Sequence, residues 1–318
     1  MIDFKNKLIG TIVPIPSFYK YNNSIDIAQY KAFINFQLKA GSKNFYLALS
    51  ASEFEFMDQE ERLQVTKAIA DELHKDCILL GQPLGNVGIQ SQIDEGNKMH
   101  DLGVDALVVK PQGLKEGSNF FSSRYLRRNY NPKVHNTYYY NYMKKFSEST
   151  YLPLVFHDFP FSSGVGLNIE GFKLLLKNKR IQSFKLHSPD PGYMKETYLL
   201  IKDKTASFDG FGKTLQFWSL TWGAKARHSC WSWFEPKADQ LFYKHMIKKD
   251  YKKAIHIMER EWPIIKVIRK TGYSGYRHLM SLIGLKYSKS RVPGESLSKS
   301  QILEINRAFK EIKKIKIN

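Results

Sequence analysis

A short apolar run in the middle of the chain closes on a lysine: Ile181-Gln182-Ser183-Phe184-Lys185. Its length and composition predict a buried strand. The stretches 168–178 and 193–203 on either side carry amphipathic helical patterns, so this strand lies between two helices. The same alternation of strand and helix continues in both directions along the chain, and it decides the fold.

Eight such strands are predicted, and each is too apolar to face water. They cover residues 8–15, 44–49, 77–81, 105–110, 154–157, 181–185, 206–210 and 226–232. Strands of this kind alternating with helices indicate a parallel sheet that helices cover. The count favours a closed (β/α)8 TIM barrel over an open doubly wound sheet. No glycine-rich dinucleotide fingerprint follows the first strand, which weakens the open-sheet alternative further.

The domain organisation follows from this pattern. The barrel is expected to span residues 1–236, and residues 237–318 are expected to form a C-terminal helical extension. An insertion of about 112–137 follows the fourth strand, before a helix over 138–149. A connection of this length within a compact domain is usually functional or mobile.

Composition limits the partners and the compartment. The 318 residues carry a formal net charge of +19, but the basic residues are spread along the chain and no nucleic-acid-binding motif accompanies them, so nucleic acid is not expected as a partner. Cys77 and Cys230 lie in apolar runs and are expected to be reduced thiols. With no signal segment and no apolar stretch of membrane-spanning length, we expect a cytoplasmic protein without a membrane partner.

Reactive side chains follow several of the predicted strands. In TIM barrels the chemistry sits at the carboxyl ends of the strands. Those ends carry Ser50, Ala51, Ser52, Glu53, Lys110, His157, Asp158, Lys185, His187, Gly210 and His228. A lysine and several histidines at one mouth suggest acid–base and imine chemistry.

Lys185 is the most informative of these residues. Burying an unpaired ammonium is costly, and a desolvated lysine loses its proton more easily. The neutral amine can then attack a carbonyl and form a Schiff base. The alternative is a lysine whose ammonium reaches solvent at the strand end.

Five motifs carry a resemblance to a known family. They are Asp58-Gln59-Glu60-Glu61-Arg62, Gly103-Val104-Asp105-Ala106-Leu107-Val108-Val109-Lys110-Pro111, Leu152-Pro153-Leu154-Val155-Phe156-His157-Asp158-Phe159-Pro160, Ser183-Phe184-Lys185 and Asp209-Gly210-Phe211-Gly212-Lys213. In order and spacing they resemble the dihydrodipicolinate synthase / N-acetylneuraminate lyase family of class I, Schiff-base-forming pyruvate aldolases, over nearly the whole chain.

The resemblance implies a role for each site residue. Lys185 is the imine-forming residue, and His157 takes the place of the family's proton-shuttling tyrosine; imidazole can do this work because it titrates near neutral pH. The loop Ser50-Ala51-Ser52 holds the carboxylate of a 2-keto acid, mainly through backbone N–H groups. His187 and Gly210 contact the distal part of the substrate.

The same resemblance implies no organic cofactor, since the imine is the electron sink, and a homodimer or homotetramer. The arginine that marks true dihydrodipicolinate synthases aligns with Ser162, so that activity is not expected. We therefore expect a Schiff-base-forming lyase, an aldolase or a dehydratase, that acts on a 2-keto acid or a 2-keto-3-deoxy sugar acid.

Two alternatives stay open at the level of sequence. A chain that has lost the shuttle tyrosine could be a non-catalytic barrel that binds a ligand. His157, His187 and His228 together with Glu53 could instead hold a divalent metal, as in metal-dependent aldolases.

Overall fold

A computed structural model describes residues 4–85, 87–111, 132–160, 167–286 and 290–317 of the chain. Most of the predicted insertion lies outside the described residues. Its last part is helical, because the helix predicted over 138–149 begins six residues earlier, at Pro132. Within the described residues no helix is both long enough and apolar enough to cross a membrane.

Eight short strands form a closed barrel and follow one another around it in chain order. They are β1 (Gly10–Pro14), β2 (Asn44–Leu47), β3 (Ile78–Gly81), β4 (Ala106–Val109), β5 (Leu154–Asp158), β6 (Ile181–Leu186), β7 (Ala206–Asp209) and β8 (Ala226–His228). Their residues are almost all buried, as expected for parallel strands covered by helices. The predicted TIM barrel is confirmed.

Helices connect the strands and continue after the last one. They are α1 (Phe4–Lys7), α2 (Ile27–Lys39), α3 (Gln59–Ala70), α4 (Ile89–Asp101), α5 (Pro132–Ser149), α6 (Ile169–Leu175), α7 (Pro191–Ile201), α8 (Lys213–Trp222), α9 (Pro236–Ile247), α10 (Tyr251–Ser281) and α11 (Lys299–Lys314).

The eighth strand is shorter than the sequence suggests. It ends at His228 instead of residue 232, and a 3₁₀ turn over Cys230–Trp233 follows it. We had expected Cys230 to lie on the eighth strand, and that prediction is wrong: Cys230 lies in the 3₁₀ turn. The indole of Trp233 donates a hydrogen bond to the carbonyl of Pro14 at 2.5 Å, which turns the apolar run into the protein core.

Contacts between residues divide the chain into two compact units. Unit 1 comprises residues 1–9 and 78–228 and contains β3 to β8. Unit 2 comprises residues 10–77 and 229–318, and it joins β1 and β2 with the C-terminal helices α9 to α11. The boundary at residue 236 between a barrel and a helical extension stays a prediction.

The C-terminal helices of unit 2 have a core of their own. It includes Trp231, Phe234, Ile264 and Leu279, all buried. Helix α10 is interrupted at Gly272, whose φ of 54° and ψ of −141° are not helical. The residues after Gly272 therefore run in a different direction from those before it.

Candidate active site

Strand β6 in unit 1 places Lys185 inside the barrel. The neighbouring Phe184 contacts Phe172 of α6, with 5.6 Å between the ring centroids, so it faces the helical layer. Because side chains alternate along a strand, Lys185 faces the opposite side, the barrel interior. Only 5% of Lys185 is exposed.

Strand β5 places His157 beside Lys185. The two strands run parallel, and His157 and Lys185 are direct partners in the register. Asp158, the next residue, faces the helices, where its carboxylate accepts a hydrogen bond of 2.6 Å from the hydroxyl of Tyr193 in α7. The histidine and the lysine therefore share the interior face. Among the described residues, neither ring nitrogen of His157 has a hydrogen-bond partner.

Gly210 follows β7, and its backbone lies against the side chain of Lys185. Its backbone N–H donates to the carbonyl of Leu186 at 2.8 Å, which fixes its position next to the end of β6. A Cβ built on Gly210 would lie 2.9 Å from the Cε of Lys185 and 3.2 Å from the Cγ of His187. The structure thus brings together Lys185, His187 and Gly210, and only glycine leaves room for both side chains.

An aromatic stack lies beside these residues. The rings of Phe159 and His187 are nearly parallel, with centroids 4.3 Å apart, and the ring of His157 lies parallel to Phe159 at 5.6 Å. Phe211 meets His187 edge-on at 5.1 Å. The Lys110 ammonium lies 5.7 Å from the centroid of the Phe159 ring. Aromatic rings and the ammonium of Lys110 therefore lie close together beside Lys185 in unit 1.

The histidines of this cluster are neutral at neutral pH. Burial, and then the charge of Lys185, hold the pKa of His157 well below its usual range. Burial also lowers the pKa of His187 to about 3, with further contributions from Lys185 and Lys110. The pKa of His228 falls for the same two leading reasons, burial and Lys185. These rings can accept protons or hydrogen bonds, and the positive charge near them resides on the lysines.

Two buried carboxyl groups lie behind the strands, towards the helices. Burial raises the pKa of Asp158 to about 7, although the bond from Tyr193 opposes the shift. Burial likewise raises the pKa of Asp209 to about 6, against hydrogen bonds from Ser219 and the backbone of Phe211. Both groups titrate close to neutral pH.

The loop Ser50-Ala51-Ser52 belongs to unit 2 and follows β2. The backbone N–H of Ser52 donates to the carbonyl of Ala48 at 3.1 Å. Its hydroxyl accepts from the N–H of Ala48 and donates to the carbonyl of Ile15 at 2.5 Å. Both donors of Ser52 are therefore engaged in shaping the loop. Ser50 is exposed, and Ala51 is buried.

Glu53 ends this loop in a left-handed backbone conformation, with a φ of 52°. Its buried carboxylate forms an ion pair with the guanidinium of Arg277, which lies on α10 beyond Gly272. It also accepts hydrogen bonds from the hydroxyl of Ser290 at 2.5 Å and from the backbone N–H of Arg291 at 3.1 Å. Glu53 thus fastens the β2 loop to the C-terminal segment of unit 2.

The metal-site alternative rested on Glu53 together with His157, His187 and His228. Across the described ranges, no group of three or more His, Cys, Asp or Glu side chains is arranged to hold a metal ion. The bonds that Glu53 makes instead give it a structural role.

A family comparison agrees with the fold. The model of the dihydrodipicolinate synthetase family matches residues 7–116 and 128–312. The chain belongs to this family. The resemblance inferred from the five motifs is confirmed, and with it the membership in a class of aldolase-type lyases.

Individual relatives are distant. The 4-hydroxy-tetrahydrodipicolinate synthase of Exiguobacterium sibiricum is 26% identical over 165 residues, which are 51% of this chain and 56% of that protein. The chain thus matches little more than half the length of that relative.

Solved structures of other family members share the fold along their whole length. The N-acetylneuraminate lyase of Fusobacterium nucleatum has a TM-score of 0.82 at 17% identity, covering 96% of this chain and 99% of that one. YagE, a prophage protein of the family from E. coli K12, was solved in complex with pyruvate; its TM-score is 0.81 at 18% identity, covering 96% and 98%.

Sequence reasoning overlooked several residues of the site. It assigned no role to Phe159, although Phe159 lies two residues after His157 and the alternation along an extended chain places it on the same face. It placed Lys110 and Asp158 at strand ends without a specific role, and it did not consider Tyr193. The bond between Asp158 and Tyr193 joins a strand to a helix across 35 positions, and no local pattern indicates it.

Proposed function

We propose that this protein is a Schiff-base-forming lyase, an aldolase or a dehydratase, that acts on a 2-keto acid or a 2-keto-3-deoxy sugar acid. The observation that carries the proposal is the burial of Lys185 beside His157 and against Gly210. Lys185 must lose its proton before it attacks a carbonyl, and desolvation of a lysine favours this loss. The imine then withdraws electrons from the adjacent carbon, so the reaction needs no organic cofactor.

His157 is proposed to transfer the proton that the imine chemistry requires. It lies next to Lys185 in the register, and its ring is neutral, so it can accept a proton. The cationic surroundings weaken it as a base. A bound keto acid brings a negative charge, which raises the pKa of His157 towards the range where proton transfer is efficient.

The remaining roles come from the family resemblance. The loop Ser50-Ala51-Ser52 is proposed to bind the carboxylate, with Ser52 holding the loop in shape and the exposed Ser50 nearest to solvent. His187 and Gly210 are proposed to contact the part of the substrate beyond the reacting carbon. A homodimer or homotetramer and a cytoplasmic location stay predictions.

The test is borohydride trapping with pyruvate, the compound bound to the E. coli relative. Borohydride reduces an imine to a stable amine, and peptide mass spectrometry then identifies the modified residue. We expect the mass gain on the peptide that contains Lys185 and its loss in Lys185→Ala. Lys213→Ala is the matched control, because Lys213 is also buried, with 8% exposed.

An adduct on Lys185 in wild type and in Lys213→Ala supports the proposal. If no 2-keto acid of a panel is trapped, or if Lys185→Ala retains catalytic turnover, the Schiff-base mechanism is wrong and a ligand-binding role becomes the better account.

A further inference from the structure

A buried glutamine on helix α8 connects the loop after β7 to the end of the neighbouring strand β8. Gln216 lies on the first turn of α8, and only 1% of it is exposed. Its side-chain amide donates a hydrogen bond of 2.6 Å to the carbonyl of Phe211, in the loop, and another of 2.6 Å to the carbonyl of His228, the last residue of β8. One side chain therefore holds two backbone segments of unit 1 together.

The orientation of this amide is fixed by its other end. The side-chain oxygen of Gln216 accepts a hydrogen bond of 2.8 Å from the Nε of Arg227, which is fully buried on β8. Arginine only donates and a carbonyl only accepts, so the oxygen must face the arginine and the nitrogen must face the two carbonyls. The amide therefore has a single orientation that satisfies all of these partners.

The loop that Gln216 holds carries residues that shape the site. Gly210 lies against the side chains of Lys185 and His187, and the ring of Phe211 meets that of His187 edge-on at 5.1 Å. The backbone N–H of Phe211 donates at 2.5 Å to the buried carboxylate of Asp209. The N–H and the carbonyl of Phe211 are thus both bound by buried side chains, which hold a loop whose glycine is conformationally permissive.

The position of this loop matters for an imine-forming lysine. The amine must meet the carbonyl carbon at a defined distance and direction, and a misplacement of about 1 Å caused by a change far from the reacting atoms can slow a reaction about 100-fold. If the loop moves away, Lys185 gains freedom that it must lose again when the imine forms. The hydrogen bonds of Gln216 go to the loop and to β8, so any effect on Lys185 is transmitted through them.

We propose that Gln216 is a positioning residue of the proposed reaction, and that its bonds to the loop after β7 and to the end of β8 keep Gly210 against Lys185. This inference rests on the proposed function of Lys185. It adds a residue that lies outside the five motifs on which the family resemblance was based.

Borohydride trapping with pyruvate tests this role. The readout is the pyruvate concentration at which trapping on Lys185 is half-maximal, because this concentration does not depend on how much of the sample is folded. Gln216→Met keeps the approximate size of the side chain and removes its hydrogen bonds, so we expect the half-maximal concentration to rise about fivefold or more. Gln216→Glu keeps the acceptor for Arg227 and donates one bond only when protonated, so the rise should be smaller.

Gln37→Met is the matched control. Gln37 of α2 is also fully buried; its amide donates at 2.6 Å to the carbonyl of Ser232 and accepts at 2.9 Å from the hydroxyl of Ser42. All three residues belong to unit 2. Because the same kinds of hydrogen bond are lost, Gln37→Met and Gln216→Met should both melt at a lower temperature than wild type. The half-maximal pyruvate concentration of Gln37→Met should stay close to that of wild type.

A wild-type half-maximal concentration in folded Gln216→Met, or an equal rise in Gln37→Met, overturns the positioning role and leaves the imine chemistry intact. If Gln216→Met does not fold, Gln216→Glu decides the question, because it retains the bond to Arg227, and an unchanged concentration in that variant is the overturning result. The absence of any adduct in wild type removes the proposed function, and this inference with it.

Discussion

The side chain of Lys185 lies directly against the backbone of Gly210, where a Cβ would approach its Cε to 2.9 Å. Gly210→Ala should therefore displace the lysine from its position beside His157. We expect the rate of borohydride trapping with pyruvate to fall at least tenfold. The melting temperature should fall only slightly, because the closest contact of the methyl group is the flexible Lys185 side chain and the His187 ring lies further away, at 3.2 Å.

Gly212→Ala is the control, because it lies in the same loop and, among the described residues other than its chain neighbours, no atom lies within 4 Å of a Cβ at this position. It should trap pyruvate at the wild-type rate. Equal rates for wild type and Gly210→Ala would show that Lys185 does not need its present position to form an imine.

His157→Phe should block proton transfer and spare imine formation. General acid–base groups contribute about 10²–10⁴-fold to rates, so we expect the exchange of the C3 protons of pyruvate with D2O to slow by about 100-fold or more. Nuclear magnetic resonance follows this exchange without knowledge of the natural substrate. Borohydride trapping on Lys185 should persist in the variant.

His157→Tyr introduces the tyrosine that the family resemblance implies for this position and serves as the matched comparison. It should exchange the pyruvate protons faster than His157→Phe. An exchange rate in His157→Phe equal to that of wild type would place the proton shuttle on another residue.

Asp158 should make the protein less stable as the pH rises through the weakly acidic range. Its pKa is about 7 in the folded protein and about 3.9 in an unfolded chain. Between these values the folded state binds more protons than the unfolded state, so the free energy of unfolding falls with rising pH by up to about 1.4 kcal/mol per unit. Above pH 7 this contribution becomes constant.

Asp158→Asn removes the titration and keeps an oxygen that accepts the hydrogen bond of Tyr193. Urea unfolding from pH 4.5 to 8 should show the variant gaining stability relative to wild type as the pH rises to about 7. Asp203→Asn, an exposed aspartate after α7, should show no such trend. A constant difference between Asp158→Asn and wild type would contradict the raised pKa.

Arg277→Met should destabilise the protein strongly, because it leaves the buried carboxylate of Glu53 without its ion-pair partner. Breaking a buried ion pair costs about 3–5 kcal/mol. Removing Lys270, whose pair with Glu304 is exposed, should cost at most about 1 kcal/mol. Urea unfolding measures both.

The double variant Glu53→Gln/Arg277→Met should lose less stability than the two single variants lose in total. Each single variant leaves one buried charge of the pair without its partner, and the double variant removes both charges. Strict additivity would indicate that Glu53 and Arg277 do not stabilise one another.

The barrel could be predicted because its signals are local. Runs such as 106–109 and 181–185 are apolar, short and separated by amphipathic helices, and this repetition is enough to specify the architecture. The end of β8 could not be predicted, because the apolar run continues past His228 while the backbone turns. The contact between Trp233 and Pro14, distant in sequence, decides that turn.

Site residues could be predicted from the sequence only where they lie at the end of a strand and where the alternation of side chains along the strand determines which face they share. Lys185, His157 and His187 share a face because of their spacing and register, and the structure places them together with Gly210. The pKa values of His157 and His187 are lowered by burial and by the charges of Lys185 and Lys110. A sequence pattern reports neither the burial of the rings nor the contribution of Lys110. The engagement of both Ser52 donors is likewise a matter of tertiary contacts.

Unit 2 is assembled from two segments that lie far apart in the sequence, residues 10–77 and 229–318, and this has a consequence for synthesis on the ribosome. Glu53 receives a hydrogen bond from Ser290, 237 positions later, and its ion pair from Arg277. While the chain is being made, the carboxylate exists without these partners, and long-range closure of this kind is slow. The loop after the second strand therefore cannot acquire its native shape until Arg277 and Ser290 have been synthesised. A nascent chain that ends before α10 carries β1 and β2 without the helices that complete unit 2, and incompletely folded segments of this kind are prone to aggregation.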